Sequence, residues 1–232
     1  MRILLKLSGE ALAGDKKSGF CEETVRKVAL QVKMLVGGGT QIGIVIGGGN
    51  FWRGRASENI DRTKADQIGM LATVMNCIYV SEMFRSTGME TSILTPFECG
   101  SFTQLFSKDR AVRHFNNGIV VFFAGGTGHP FFSTDTSVVL RAAEVDADMI
   151  LLAKAVDGIY SDDPRRNPEA IKYDSISIDD VITQNLMAVD MTASIMVREQ
   201  KLTMRVFGLN ADYSIIDAVG DKFTGTLVTA GS

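Results

Sequence analysis

Two hydrophobic rhythms alternate along the chain. Short apolar runs at 3–7, 42–46, 91–95, 119–123, 149–152, 204–207 and 226–229 carry strand-forming residues, most of them with no polar alternation. Such runs predict strands buried on both faces, as in a parallel sheet. Between them lie segments with helical spacing: 22–36 (Val25, Val28, Ala29, Val32, Leu35), a long Met-rich stretch at 65–87 stopped by Gly88, the stretch marked by Val138, Val139, Ala142, Ala143 and Val145, and 177–185, 192–200 and 212–219. Ser101 and Gln104 form a predicted capping box ahead of a helix that reaches His114. Residues 10–19 are polar and glycine-bearing and are expected to form a mobile loop, and Asp163-Pro164 and Asn167-Pro168 punctuate an irregular stretch. Alternating strands and helices predict a mostly parallel sheet covered on both sides, a three-layer αβα arrangement. No low-complexity linker divides the chain, so one domain is expected.

Four of the strands end in small or polar residues: Ser8-Gly9, Gly47-Gly48-Gly49, Gly125-Gly126-Thr127-Gly128, and Lys154 to Gly158. Ligands of open α/β sheets lie outside the carboxyl ends of the strands. Four such turns on one edge predict a long, anion-friendly trough. The clearest is the third, where a strand runs through a glycine turn into Ser133, Thr134 and Asp135 at a helix start. There backbone N–H groups and the positive end of a helix can meet an anion. Taken alone, the same run is also a strand-to-helix connection with a good N-cap.

Composition narrows the classes. A chain of 232 residues can bury a sizeable core. Its net charge of −3, with both signs well mixed and no basic run, gives no sign of nucleic-acid binding. No apolar segment is long enough to span a bilayer, and the N-terminus enters a strand pattern at once, without a signal-peptide pattern. Cys21, Cys77 and Cys99 are far apart and odd in number, and are expected to be free thiols of a cytoplasmic protein. With only two histidines beside them, a structural zinc site is not expected.

The usual nucleotide motifs are missing: there is no G-x-x-x-x-G-K-[ST], and no G-x-G-x-x-G follows a strand. Without a G-x-S-x-G elbow, a serine-hydrolase reading fails. Lys6 sits amid apolar residues of the first strand. It is either an edge lysine laying its stem along the surface or a point charge held for a transferring phosphoryl group. Arg53 can clamp phosphate bidentately or stand as a surface arginine. Asp66 either binds a polar ligand group or is an exposed first-turn acid; its neighbours Ile68, Met70 and Leu71 are expected to be buried. Met70, Met75 and Met83 read as core packing. His129, before Pro130, has no catalytic role in this reading, and His114 closes a helix.

Several motifs together resemble one family. Lys6-Leu7-Ser8-Gly9-Glu10-Ala11-Leu12, Gly47-Gly48-Gly49-Asn50-Phe51-Trp52-Arg53-Gly54, Gly69-Met70-Leu71-Ala72-Thr73-Val74-Met75-Asn76 and Thr127-Gly128-His129-Pro130-Phe131-Phe132-Ser133-Thr134-Asp135 are similar to segments of the bacterial uridylate kinases, which have the amino-acid kinase fold and not the P-loop fold. Val156-Asp157-Gly158-Ile159-Tyr160-Ser161-Asp162-Asp163-Pro164 resembles that family's adenine-side loop. The likeness runs over nearly the whole chain, in the family's order. It implies ATP-dependent phosphorylation of UMP to UDP with Mg2+, a step of pyrimidine nucleotide biosynthesis. It implies that Lys6, Leu7, Ser8, Gly9, Gly49 and Arg53 hold the ATP phosphates, and that Lys154, Tyr160 and Asp163 line its nucleoside. Gly48, Asp66 and the run Thr127 to Thr134 would bind UMP, and Asp135 would be the catalytic carboxylate, through charge organisation or through magnesium. Residues 14–19 match the loop this family uses in its response to GTP, with UTP as a further effector, and the family is typically a homohexamer. The sequence departs at His129, where the family more often has asparagine. Two rival readings remain at this stage: a kinase of the same fold acting on carbamate, acetylglutamate or aspartate, and a non-catalytic nucleotide or oxyanion binder.

Overall fold

The computed structural model describes residues 1–16, 18–53, 59–186, 189–209 and 213–231. Gly54, Lys17 of the 14–19 segment and Asp212 lie outside them. In chain order the elements are β1 (Arg2–Leu7), α1 (Gly9–Ala13), α2 (Glu22–Gly37), β2 (Gln41–Ile46), α3 (Arg62–Arg85), β3 (Thr91–Thr95), β4 (Gln104–Leu105), α4 (Lys108–Asn116), β5 (Val120–Phe123), α5 (Thr134–Glu144) and β6 (Met149–Lys154). They continue with β7 (Ile159–Tyr160), β8 (Lys172–Tyr173), β9 (Ser175–Ser177), α6 (Ile178–Thr183), α7 (Met191–Glu199), β10 (Met204–Gly208), α8 (Ser214–Val219) and β11 (Thr226–Thr229).

Nine strands form one sheet in the order β4-β3-β5-β2-β1-β6-β10-β11-β9. Every neighbouring pair is parallel except β10 with β11. Side chains alternate across each strand and split the core in two. Ile3, Leu5 and Leu7 of β1 join Ile44, Val28, Val74 and Ile215 under α2, α3 and α8. Leu4 joins Val121, Val138, Val181 and Val197 under α4, α5, α6 and α7. The same alternation puts Lys6, two residues after Leu4, on the α5 face. β1 lies between β2 and β6, so Lys6 stands on a central strand and not on an edge.

Several expectations need correction. Residues 10–13 are helical and not loop, because the Ser8 hydroxyl accepts from the Ala11 N–H and starts a short helix directly at the strand end. Ser101 and Gln104 do not cap a helix; Gln104 pairs in β4, and Ser107 caps α4 instead. The stretch after β6 contains the hairpin β7–β8. On α3, Ile68, Leu71 and Met75 face outward: all three are exposed.

Candidate active site

The carboxyl ends of β1, β2, β5 and β6 converge on one edge of the sheet, and their turns surround a buried charge cluster. Lys6 is 8% exposed, and its Nζ lies 2.9 Å from Oδ1 of Asp135. The contact is a buried ion pair. Lys154, the last residue of β6, brings its Nζ to 3.5 Å from Oδ2. Burial pushes the Asp135 carboxyl up, but Lys6 and Lys154 outweigh it, and the group is held below the ordinary carboxylate range. Burial pulls the Lys154 ammonium down; Asp135 opposes this and Lys6 adds to it, and the net shift is downward.

Local structure explains why Asp135 is fixed. Ser133 caps α5, its Oγ accepting from the N–H groups of Asp135 and Thr136. Ser133 in turn donates a short hydrogen bond to Asp190, and Thr136 Oγ1 donates to the same carboxylate at 2.9 Å. Asp190 also caps α7 by accepting from the Ala193 N–H. One carboxylate thus ties the first turns of two helices together around Asp135.

Beside the cluster lies a cleft of about 190 Å³ lined by Gly48, Trp52, Arg62, Ala65, Asp66, Gly69, Met70, Thr73, Gly126, Thr127, His129, Phe132, Ser133 and Thr134. It brings together most of the residues expected to bind the acceptor. Gly128, Pro130 and Phe131 stand in the same loop but outside the lining. Phe131 is held with φ 72, sparsely populated for a bulky residue, and its N–H donates to Asp66 Oδ2 at 2.8 Å. Arg62 pairs with the same oxygen at 2.9 Å. Asp66 is therefore a tether for the loop as well as a wall of the cleft. The Thr73 hydroxyl accepts from the Gly125 N–H at 2.8 Å, and the Trp52 indole N–H donates to the Ala65 carbonyl at 2.8 Å.

Among the residues expected to hold the ATP phosphates, Ser8 and Gly9 open α1, and the Leu7 side chain is buried in the core, leaving only its backbone for a ligand. Arg53 is exposed and pairs with Glu10 at 2.9 Å, a contact of little energetic weight at the surface. Glu10 also lies against Gly49, so the acid and the arginine flank the same turn. The Lys154 ammonium lies with Lys6 and Asp135, although the resemblance puts it with the nucleoside. The Tyr160 hydroxyl donates to Asp157 at 2.7 Å, and Asp163 orders its own turn by accepting from the Arg165 N–H at 3.0 Å and from its side chain. His129 is exposed, and His114 lies in the last turn of α4. Sequence reasoning assigned no role to Asp190, Thr73 or Trp52.

Among the described residues no group of three or more His, Cys, Asp or Glu side chains could hold a metal. The Asp135 carboxylate is already flanked by two ammoniums, which suits charge organisation better than ligation of a dication.

Basic groups and glycine turns at the carboxyl edge of a parallel sheet, with Asp135 between two lysines, define a phosphoryl-handling α/β protein outside the P-loop class. Residues 1–208 match the amino acid kinase family, and the chain belongs to that family. Its fold matches the crystal structure of UMP kinase from Bacillus anthracis with TM-score 0.94 at 35% identity, over 100% of this chain and 96% of that one. UMP kinase from Ureaplasma parvum matches with TM-score 0.93 at 31% identity, over 98% of each chain. Uridylate kinase from Archaeoglobus fulgidus, at 24% identity and TM-score 0.75 over 99% of this chain and 100% of that one, shares the fold.

Proposed function

We propose that this chain, as a single catalytic domain, transfers the γ-phosphoryl group of ATP to UMP. The observation that carries the reading is the full-length likeness to UMP kinases at 31–35% identity. The Lys6–Asp135–Lys154 cluster beside a ready-made acceptor cleft supports it. A phosphate oxygen of UMP attacks the γ-phosphorus, the bond from that phosphorus to the bridging oxygen breaks, and ADP leaves. The acceptor oxygen is already anionic, so the site needs alignment and positive charge and not a base. Lys6 and Lys154 supply the charge, and Asp135 holds both ammoniums at the transfer point. Ser8, Gly9, Gly49 and Arg53 serve the ATP phosphates, with magnesium entering as the MgATP complex. Tyr160 and Asp163 serve its nucleoside. Gly48, Asp66 and the run from Thr127 to Thr134 serve UMP.

A coupled ADP-release assay across nucleoside monophosphates, carbamate, acetylglutamate and aspartate tests this. UMP is expected to dominate; turnover of a small acid, or no turnover of any of them, defeats the reading. The family resemblance also supports a cytoplasmic homohexamer answering to GTP or UTP. Rates titrated with each nucleotide test the effectors, and the outer face of α3, taken up below, supports self-assembly.

A further inference from the structure

Two buried amides behind the turns take no part in the chemistry described so far. Asn50 is 2% exposed and Asn76 0%. They bond each other reciprocally: Asn50 Nδ2 donates to Asn76 Oδ1 at 3.0 Å, and Asn76 Nδ2 donates to Asn50 Oδ1 at 2.7 Å. Each amide nitrogen spends its second hydrogen on a backbone carbonyl. Asn76 donates to Gly47 O at 2.7 Å, and Asn50 donates to Gly19 O at 2.9 Å. Gly9 rests directly on the pair, since a Cβ there would lie 2.4 Å from Asn50 Oδ1 and 2.5 Å from Gly47 O. The turn after β2 is thus hung from α3 by Asn76, and the turn after β1 is seated against the same amides.

We propose that Asn50 and Asn76 form a positioning clasp that sets the distance between the donor turn at Ser8-Gly9 and the acceptor turn at Gly47-Gly48, a role that rests on the proposed kinase activity. Each turn keeps its own backbone donors without the clasp, so each nucleotide still binds. What changes is the spacing of the two phosphates, and a misplacement of about 1 Å costs on the order of 10²-fold in rate. Buried amides with every donor matched hold one geometry, because any rotation leaves a donor unpaired.

The test is steady-state kinetics on wild type, Asn50→Ala, Asn76→Ala and the double variant, varying ATP and UMP in turn. Each single variant is expected to lose about tenfold or more in kcat, with both KM values within about threefold. The double variant should be no worse than the poorer single, because either change breaks the reciprocal pair. Val80→Ala, a core truncation on the same helix, is the control for stability: at an equal loss of Tm it should retain its kcat. If Asn76→Ala does not fold, Asn50→Ser decides. Wild-type kcat in a folded clasp variant, multiplying losses in the double variant, or an equal kcat loss in Val80→Ala overturns the clasp. Absence of UMP turnover in the wild type instead overturns the kinase reading.

Discussion

At the scale of single residues the site is a carboxylate held between two lysines, and the two lysines should fail differently. Lys6 is presented by a central strand, with Asp135 as its paired counter-charge. Lys6→Ala is expected to fold, as circular dichroism would show, and to lose kcat by a factor on the order of 10² or more. Near-normal turnover in that variant would remove Lys6 from the mechanism. Lys154 gives a pH signature. Its ammonium is pulled below the ordinary lysine value by burial first and by Lys6 next, with Asp135 only partly compensating. In the proposed mechanism the charged form is the useful one, so kcat/KM, which reports the free enzyme, should fall on the alkaline side at a pH below the ordinary lysine range. Arginine keeps its proton, so Lys154→Arg should carry what activity it retains to higher pH. A rate profile from pH 7 upward checks this, and an alkaline limb that does not move in the variant would count against it.

At the scale of elements, α3 is the bracket of the site. Asp66, Thr73 and Asn76 recur on its inner face and reach three different partners: the Phe131 N–H, the Gly125 N–H and the Gly47 carbonyl. Asp66→Ala leaves an N–H of a strained residue without its acceptor and loosens the wall of the cleft. It should raise KM for UMP far more than KM for ATP, and equal effects on both would place Asp66 elsewhere. Much of this architecture was legible in the chain, because strands buried on both faces leave unbroken apolar runs and the glycine turns follow them directly. α1 was missed because five residues are too few to show a helical period, and Ser8 read as the end of a strand instead of a cap. Ser101 and Gln104 mimicked a capping box, but Ser107 precedes the residues that bury Ala111 and Phe115. The Asp190 bond to Ser133 spans 57 residues, beyond any local pattern.

At the scale of the whole molecule, the self-assembly proposed above has a candidate surface in the outer face of α3. Lys64, Ile68, Leu71, Met75, Ile78 and Glu82 step along the helix by four, three, four, three and four residues, and all six are exposed. The four apolar members are between 37% and 51% exposed, a contiguous stripe with the spacing of a helix–helix seam. The series is symmetric about Thr73. A second copy packed antiparallel across a two-fold axis would therefore set Ile68 against Ile78, Leu71 against Met75, and Lys64 against Glu82, each contact made twice. Leu71→Glu, next to the centre of the seam and clear of the cleft, should shift the mass measured by light scattering to a smaller species. The charged ends are a finer probe, because an exposed pair contributes only about 0.2–1 kcal/mol. Lys64→Glu should raise the concentration at which the assembly dissociates, and adding Glu82→Lys should restore it. A wild type that is monomeric at assay concentration, an unchanged mass for Leu71→Glu, or a double charge reversal that fails to recover assembly would each show that this face does not join two copies of the chain.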